Sequence, residues 1–193
     1  MNQKGDIMAS MVTANLLTRA DLDALPDDGL RHELIDGHFV MTPAPGTAHQ
    51  TIAIQLASQL NQALRGSGLK VLTAPFDVVL GSHVVEPDIV VAPKANFTAQ
   101  DLPVPPLLVV EILSPTTQHL DRGRKREIYA EAGVPHYWIV DPDEPAITIY
   151  ELNAAARTDR SSYLEVAHAA CDDSLDVEQP VALRITPAEL RDD

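Results

Sequence analysis

The sequence predicts an α/β domain built on a mixed β-sheet that carries helices on its faces. Between residues 47 and 141 the apolar spacing follows the order helix, three strands, helix, strand. The third of these strands is almost wholly apolar, which is typical of a central strand buried on both faces. This alternation of strands and helices is the pattern of α/β proteins.

The N-terminal part of the chain predicts a short helix and a β-hairpin. Residues 17–25 have helical spacing, with Thr18 as the N-cap and Pro26 as the stop, and the residues before them lack periodicity. Asp36-Gly37 lies between two short apolar segments. This combination is the strongest local signal of a two-residue hairpin.

A long helix and an antiparallel strand pair are predicted next. Residues 47–50 have the capping-box pattern, and an apolar stripe at helical spacing continues to residue 64. Residues 71–80 and 84–92 are rich in β-branched side chains and are separated by a turn at residues 81–82. We therefore expect one strand on each side of this turn.

The second half of the chain adds a central strand, a helix and a hairpin. Residues 107–113 are apolar apart from one glutamate, and helical spacing returns at 121–132 before Gly133. Residues 137–140 predict a buried strand that turns back through 146–152 as a hairpin at the sheet edge. Later signals predict strands near 163–167 and 181–185 and a last helical turn at 187–190.

Length and composition restrict the class of protein. At 193 residues, the chain is sized for one globular domain, assigned to residues 31–193 behind an N-terminal extension at 1–30. The lone Cys171 excludes an intrachain disulfide and a cysteine zinc cluster. The sequence has neither a membrane-spanning apolar segment nor a secretory-signal pattern, so a cytoplasmic location is expected.

The charge balance opposes tight binding to a phosphate backbone. The chain has 14 basic and 28 acidic residues, a formal net charge of -14. The charge is uneven, however, because residues 121–131 contain Arg122, Arg124, Lys125 and Arg126. A local basic face is therefore compatible with the acidic chain.

Two carboxylates in apolar strands are the candidates for chemistry. Asp88 follows Pro87 in the segment 84–92, and Glu111 interrupts the segment 107–113. An ionised carboxylate in apolar surroundings requires a partner, a cation or a shifted pKa. If the two strands are neighbours, Asp88 and Glu111 can share a divalent ion of the kind that carboxylates, water and phosphate oxygens hold. In the structural alternative, Asp88 is a strand-end residue and Glu111 pairs with a buried arginine.

A series of short motifs spans about residues 31–152. In order, they are Glu33-Leu34-Ile35-Asp36-Gly37, Met41-Thr42-Pro43, His49-Gln50, Pro75-Phe76-Asp77-Val78, Pro87-Asp88-Ile89-Val90, Val110-Glu111-Ile112-Leu113-Ser114-Pro115, Lys125-Arg126 with Tyr129, and Gly133-Val134 with Tyr137-Trp138-Ile139-Val140-Asp141. Together they resemble the Uma-type putative restriction endonuclease family, also named for domain of unknown function 820, within the PD-(D/E)XK nuclease superfamily.

The resemblance implies a restriction-endonuclease-like core with added hairpins and a metal-dependent endonuclease activity. Asp88 takes the aspartate position of the PD motif, and Glu111 takes the acidic position of the (D/E)XK motif. Leu113 stands where that motif has its lysine, and Lys125 is the candidate for a relocated lysine that orients or deprotonates the attacking water. Glu33 is implied as an accessory acidic residue.

The resemblance also implies a cofactor and partners. Mg²⁺, or Mn²⁺, is expected on Asp88 and Glu111, and the expected substrate is nucleic acid, with DNA as its form. Arg122, Arg124 and Arg126 are expected to position the nucleic-acid backbone. A homodimer is expected because a two-fold pair suits the two strands of duplex DNA.

Two other interpretations remain open. A binding or interaction protein that kept the nuclease fold without turnover agrees with Leu113 in the lysine position and with the acidic net charge. A dimeric scaffold would use the hairpin at 137–152 as its interface. His49 and Asp77 are further candidates for the site, although a histidine at a helix start is more often a polar capping residue than a metal ligand.

Overall fold

The computed structural model describes residues 16–153 and 162–191. Its helices are α1 (Arg19–Asp23), α2 (Thr47–Ala63), α3 (Gln118–Leu120) and α4 (Arg126–Ala132), with a π-helical turn at Asp121–Lys125 and 3-10 turns at Lys94–Asn96 and Pro187–Leu190. Its strands are β1 (Arg31–Ile35), β2 (His38–Thr42), β3 (Leu69–Thr73), β4 (Asp77–Leu80), β5 (His83–Val85), β6 (Ile89–Pro93), β7 (Asp101–Leu102), β8 (Leu108–Ile112), β9 (His136–Asp141), β10 (Ala146–Leu152), β11 (Tyr163–Ala170), β12 (Leu175–Val177) and β13 (Leu183–Ile185).

Two sheets organise the domain. The larger has six strands in the order β11-β10-β9-β8-β6-β3, and the smaller has five in the order β2-β1-β5-β4-β7. In the six-stranded sheet β8 and β9 run parallel, and the other neighbours run antiparallel. The predicted α/β class and mixed sheet are confirmed, with the core order helix, three strands, helix, strand provided by α2, β3, β6, β8, α4 and β9.

Helix α2 covers one face of the six-stranded sheet. Its stripe of Ile52, Leu56 and Leu60 is buried against strand residues that include Trp138, which confirms the predicted apolar face of the helix and Trp138 as a core residue. Burial of such side chains contributes roughly 1.5–3 kcal/mol each. This packing fixes the start of α2, and with it His49, beside the ends of β6 and β8.

The other face of the six-stranded sheet packs against α4 and the five-stranded sheet. Ile128 and Tyr129 of α4 join Val109 and Leu113 from the central strand segment in a second apolar cluster. Because successive side chains of a strand point to opposite faces, Glu111 lies on the same face as Val109 and Leu113. The glutamate therefore faces the space between the two sheets and the helix.

The two long strands predicted at 71–80 and 84–92 are each divided in two. β3 pairs with β6 in the larger sheet, whereas β4 pairs with β5 in the smaller one, so the antiparallel pairing is right and the continuity is wrong. Pro75 lies at the break in the first segment, where it has no backbone N–H to donate to a ladder. The chain thus passes from the larger sheet to the smaller one between β3 and β4, and it returns to the larger sheet between β5 and β6.

Other local predictions have mixed outcomes. Both residues of the Asp36-Gly37 turn have left-handed backbone angles, φ 51° and 72°, as a two-residue hairpin of this type requires. The capping box at 47–50 is wrong, because the N-cap is Gly46 and the Gln50 side chain donates to the Pro45 carbonyl. The helix nevertheless begins at the predicted residue.

The hairpin of β9 and β10 is confirmed, but its placement at the sheet edge is wrong. β11 pairs along the whole of β10 and is itself the edge strand of the sheet. The strand predicted at 163–167 is longer than expected and continues to Ala170. β9 is interior, with Tyr137 and Trp138 fully buried, so its side chains are not available as the interface of a dimeric scaffold.

The predicted N-terminal helix is α1, shortened to five residues, and the Thr18 amide donates to the Asp21 carboxylate at 2.8 Å. Leu22 packs on Leu34 and Val84 of the five-stranded sheet. The part of the extension at 1–15 lies outside the described residues. Across the part of the chain that the structure describes, no helix is both long and apolar enough to cross a membrane.

The packing of α2 generates a stability prediction. We expect Leu56→Ala to lower the free energy of unfolding by about 2–5 kcal/mol, because the fully buried leucine leaves a cavity between helix and sheet. Ile54→Ala on the same helix is the matched control, since Ile54 is 66% exposed. Urea denaturation followed by circular dichroism measures both, and equal losses would contradict the assigned helix face.

Candidate active site

Strands β6 and β8 bring Asp88 and Glu111 together. Their antiparallel register pairs Ile89 with Val110, and one residue further along this register Asp88 comes opposite Glu111. The Ile112 amide donates to Asp88 Oδ2 at 2.8 Å. The two carboxylates thus share one face of the sheet, as the sequence predicts for neighbouring strands.

Asp88 is held by two cationic or polar side chains as well as by the backbone. Arg31 Nη1 donates to Oδ1 at 2.8 Å, and His49 Nε2 lies 3.1 Å from Oδ2. Burial raises the pKa of Asp88, but the contact with His49, the charge of Arg31 and the Ile112 amide outweigh it and lower the pKa to about 2. Asp88 is therefore an ionised carboxylate at neutral pH.

Glu111 has the opposite electrostatic situation. Its Oε1 accepts hydrogen bonds from Tyr129 at 2.6 Å and from Lys125 Nζ at 3.2 Å. Burial raises the pKa of Glu111 to about 8 against the lowering effect of Lys125, and the nearby carboxylates of Asp121 and Asp88 add to the rise. The surroundings of these two neighbouring carboxylates thus lower the pKa of Asp88 and raise the pKa of Glu111.

Lys125 lies at the centre of an acidic cluster. Its Nζ is 2.9 Å from Glu33 Oε1, 3.2 Å from Glu111 Oε1 and 3.6 Å from Asp121 Oδ1. The side chain is 2% exposed. Burial lowers the pKa of Lys125, but the charges of Glu111, Glu33 and Asp121 raise it above its ordinary value. The structure therefore brings together the four residues proposed from the sequence as catalytic: Glu33, Asp88, Glu111 and Lys125.

Lys125 brings an ammonium group to Glu111 although residue 113 is a leucine. Leu113 is 3% exposed and packs in the apolar cluster under α4. The π-helical turn Asp121–Lys125 places the lysine over β8 instead, and π turns of this kind occur frequently at functional sites. The ammonium group therefore reaches Glu111 from the helix.

Glu86 extends the acidic cluster toward Arg31. Its amide donates to Glu33 Oε1 at 2.8 Å, and its own Oε2 lies 4.0 Å from Arg31 Nε. Burial raises the pKa of Glu86 to about 7. Arg31 thus lies between two carboxylates, Glu86 and Asp88.

A cavity of about 180 Å³ opens onto these groups. The side chains of Arg31, His49, Asp88, Glu111 and Asp121 line it, together with the segments 42–46 and 114–117. On the second segment, Ser114 and Thr117 share a hydrogen bond of 2.8 Å between their hydroxyl oxygens, and Thr117 donates to Asp121 Oδ2 at 3.2 Å. The cavity therefore has acidic, cationic and hydroxyl groups on its wall. This small cavity is referred to below as the acidic cavity.

The three arginines predicted to contact nucleic acid lie elsewhere. Arg122 pairs with Asp141 at 3.1 Å, Arg124 with Asp36 at 2.7 Å, and Arg126 donates to the Tyr163 carbonyl at 3.0 Å. None of them is among the described residues that line the acidic cavity. Asp77 is also outside it and pairs with Arg19 at 3.0 Å. The nucleic-acid role of the arginines stays a prediction.

The structure adds four residues to the site that the sequence analysis did not propose as site residues, although Tyr129 stands in one of the family motifs. Asp121 and Tyr129 stand four residues before and after Lys125, so the spacing on one helix face was an available signal. Glu86 precedes the Pro87-Asp88 motif. Arg31 is 57 residues from Asp88, and no local pattern announces its contact with that carboxylate.

The donor set suits a hard divalent cation that keeps part of its water shell. Within residues 16–153 and 162–191, no group of three acidic, histidine or cysteine side chains is arranged to hold a metal ion. Asp88 and Glu111 offer an opposed pair of carboxylates at the acidic cavity. Mg²⁺ is commonly held by one or two carboxylates, with water and substrate phosphate completing its coordination.

The fold defines a class of protein, the proteins with a restriction-endonuclease-like core. The chain belongs to the family whose sequence model is described as "Uma2: Putative restriction endonuclease", and that model matches residues 19–186. This confirms the family predicted from the motifs.

Two individual proteins are similar to this chain. The protein slr1290 of Synechocystis, described as uncharacterized, is 27% identical over 128 residues, which cover 64% of this chain and 67% of the relative. A crystal structure described as a putative nuclease belonging to DUF820, from Anabaena variabilis, has a TM-score of 0.69 and 19% identity, covering 90% of this chain and 97% of that one. The structural similarity confirms the restriction-endonuclease-like fold.

The raised pKa of Glu111 gives a pH dependence. A pKa of about 8, above the ordinary 4.5, means that the folded state binds the proton more tightly than the unfolded chain. The stability from this group is complete below about pH 4.5 and is lost as the pH rises through about 8. In EDTA, we therefore expect a free energy of unfolding that falls over this window, and a smaller fall in Glu111→Gln.

Urea denaturation at several pH values measures this slope. Glu165→Gln is the matched control, because Glu165 is an exposed carboxylate on β11 and lies outside the cluster. The control is expected to keep the slope of the unaltered protein. An unchanged slope in Glu111→Gln would show that Glu111 is not the group responsible.

The burial of Lys125 gives a second stability prediction. Lys125→Met leaves Glu33, Glu111 and Asp121 close together without their cation, so we expect a loss of about 3–5 kcal/mol in the free energy of unfolding near neutral pH. The loss should shrink in acid, where the carboxylates bind protons. Lys94→Met, at an exposed lysine, is expected to change stability by less than about 0.5 kcal/mol. Equal effects in the two variants, measured by urea denaturation, would refute the cluster's role.

Proposed function

We propose that this chain is a metal-dependent endonuclease that hydrolyses phosphodiester bonds of nucleic acid, with DNA as its expected substrate. The observation that carries the proposal is that Asp88 and Glu111 lie side by side at the wall of the acidic cavity, with the buried Lys125 in contact with Glu111 behind it. Membership of the restriction endonuclease family supports the same class of reaction.

Asp88 and Glu111 are the proposed ligands of Mg²⁺ or Mn²⁺. When bound, the ion would supply Lewis-acid stabilisation of the phosphate and a water of lowered pKa. Charge balance supports a cation here, because Asp88, Glu111, Glu33 and Asp121 surround one lysine and one arginine. Burial is the main cause of the raised pKa values of Glu111 and Asp121, and the neighbouring carboxylates add to the rise. A bound divalent ion would neutralise the excess negative charge.

Lys125 acts in this proposal as a donor and a positive charge rather than as a base. A base must be neutral, whereas the neighbouring carboxylates raise the pKa of Lys125 and keep its ammonium group protonated. Glu33, at 2.9 Å from Nζ, orients the ammonium group. Lys125 would then hold the attacking water beside Glu111 and offset the charge that develops on the phosphate.

The homodimer is part of the same proposal. A homodimer is the assembly expected from the sequence, and two copies would present two sites to one nucleic acid. Light scattering of the purified protein measures the mass, and a monomer at micromolar concentration would remove this part of the proposal without affecting the reaction.

The reaction is tested by cleavage of plasmid and single-stranded DNA, and of RNA, with Mg²⁺ or Mn²⁺. We expect cleavage that EDTA abolishes, and a loss of at least about a hundredfold in Asp88→Asn and in Glu111→Gln. Glu165→Gln is the matched control and should keep full activity. Circular dichroism establishes that each variant is folded.

Two outcomes would contradict the endonuclease proposal. The first is an absence of cleavage of every nucleic acid with either metal. The second is cleavage that survives both Asp88→Asn and Glu111→Gln. The first result favours a nuclease fold that binds without turnover, which agrees with Leu113 in the position of the usual lysine. The second shows that the cleavage does not come from a site built on Asp88 and Glu111.

A further inference from the structure

A second, larger cavity adjoins the acidic cavity. Its volume is about 550 Å³, and it is called the groove below. The residues Arg31, Ala44, Pro45, His49 and Asp88 line both spaces, so the groove and the acidic cavity are continuous. A ligand whose phosphate lies near Asp88 can therefore extend into the groove.

The outer wall of the groove is apolar. Leu30, Ala53, Ile54 and Pro75 form it, together with the backbone around Ala74. Ile54 is 66% exposed and Leu30 is 42% exposed, although the other large apolar residues of the helix that carries Ile54 are buried, namely Ile52, Leu56 and Leu60. These two exposed side chains do not contribute to the core. Exposed apolar side chains around a cavity are typical of a ligand-binding surface.

Positive charge is scarce around both spaces. Among the described residues that line them, Arg31 is the only arginine or lysine. The whole chain has a net charge of -14. One arginine suits one phosphodiester group, so a long phosphate backbone would gain little affinity here from charge. Recognition beyond that phosphate must therefore use the apolar wall.

We propose that the groove binds the nucleoside next to the phosphodiester bond that is cleaved, and that the substrate is consequently an unpaired strand. The proposal rests on the endonuclease function proposed above. The faces of a base in a duplex are stacked on its neighbours, so only an unpaired or extruded base can lay a face on Leu30 and Ile54. Arg31, at the junction, would donate to the phosphate that joins the two spaces.

The sizes of the two spaces agree with this division. The acidic cavity, at about 180 Å³, accommodates a phosphate and its waters, whereas the groove has the volume typical of small-molecule sites, about 300–1,000 Å³. Asp27 and Thr73 at its border are polar groups that can hydrogen-bond a base or sugar. The geometry thus provides one place for the phosphate and another for the apolar part of one nucleotide.

The test uses two single strands that differ only in their bases. One is oligothymidylate, and the other is an oligomer of equal length in which every residue is abasic. Leu30→Gln/Ile54→Gln removes the apolar wall without changing charge. Leu164→Gln/Val166→Gln is the matched control, because it alters two exposed apolar residues on β11, away from the groove.

We expect the unaltered protein and the control to cleave oligothymidylate with a kcat/KM at least about tenfold above that for the abasic strand, and also about tenfold above that for the same strand in a duplex. The groove variant should lose the preference for bases but keep its rate on the abasic strand. An undiminished preference in the groove variant, or equal cleavage of duplex and single strand, would overturn the proposal.

The same strands separate this proposal from the endonuclease function. If the unaltered protein cleaves nothing, the endonuclease function fails, and the groove is then judged by binding of the fluorescently labelled strands in Ca²⁺. Tighter binding of oligothymidylate than of the abasic strand, lost only in the groove variant, supports the groove. If the groove variant and the control bind oligothymidylate with equal Kd values, the groove proposal is overturned.

Discussion

The ammonium group of Lys125 is the constraint on which the rest of the site depends. It contacts Glu33 from β1 of the five-stranded sheet, Glu111 from β8 of the six-stranded sheet, and Asp121 from its own helical turn. A buried charge without partners would be very costly, so the two sheets and the helix must meet where these carboxylates converge. One ion cluster therefore fixes the relation of three structural layers at the point where the chemistry is proposed.

Apolar packing around the cluster offsets part of the free-energy cost of burying its charges. Tyr129 donates to Glu111 while its ring packs against Tyr137 with centroids 5.3 Å apart, so a single side chain serves both the cluster and the core. Buried ion clusters are weak contributors to stability in general, and replacement by apolar residues is often neutral or favourable. The presence of so many carboxylates in this core is therefore better explained by the proposed reaction than by the fold.

The features that could be predicted from the sequence are those with a repeating residue pattern and those where a residue departs from the pattern around it. The stripe of α2 repeats, and Asp88 and Glu111 violate the apolar character of their strands, so both were predictable. The division of the strands near Pro75 was not, because both halves have the same β-branched composition and only their partners in different sheets separate them. The contact of Arg31 with Asp88 was equally hidden, since it joins distant segments.

The basic residues illustrate that a cluster of charge in the sequence need not be a cluster of unpaired charge in the fold. Arg122 and Arg124 stand out in the sequence as a cluster, yet acidic neighbours already neutralise them in the fold. Arg31 has no basic residue beside it in the sequence, yet it is the cation at the wall of the acidic cavity. Long-range electrostatic attraction is weak for so acidic a chain. In the proposed function, affinity must then come from contacts inside the site, and a phosphate held by Arg31 beside an apolar groove would supply them at short range.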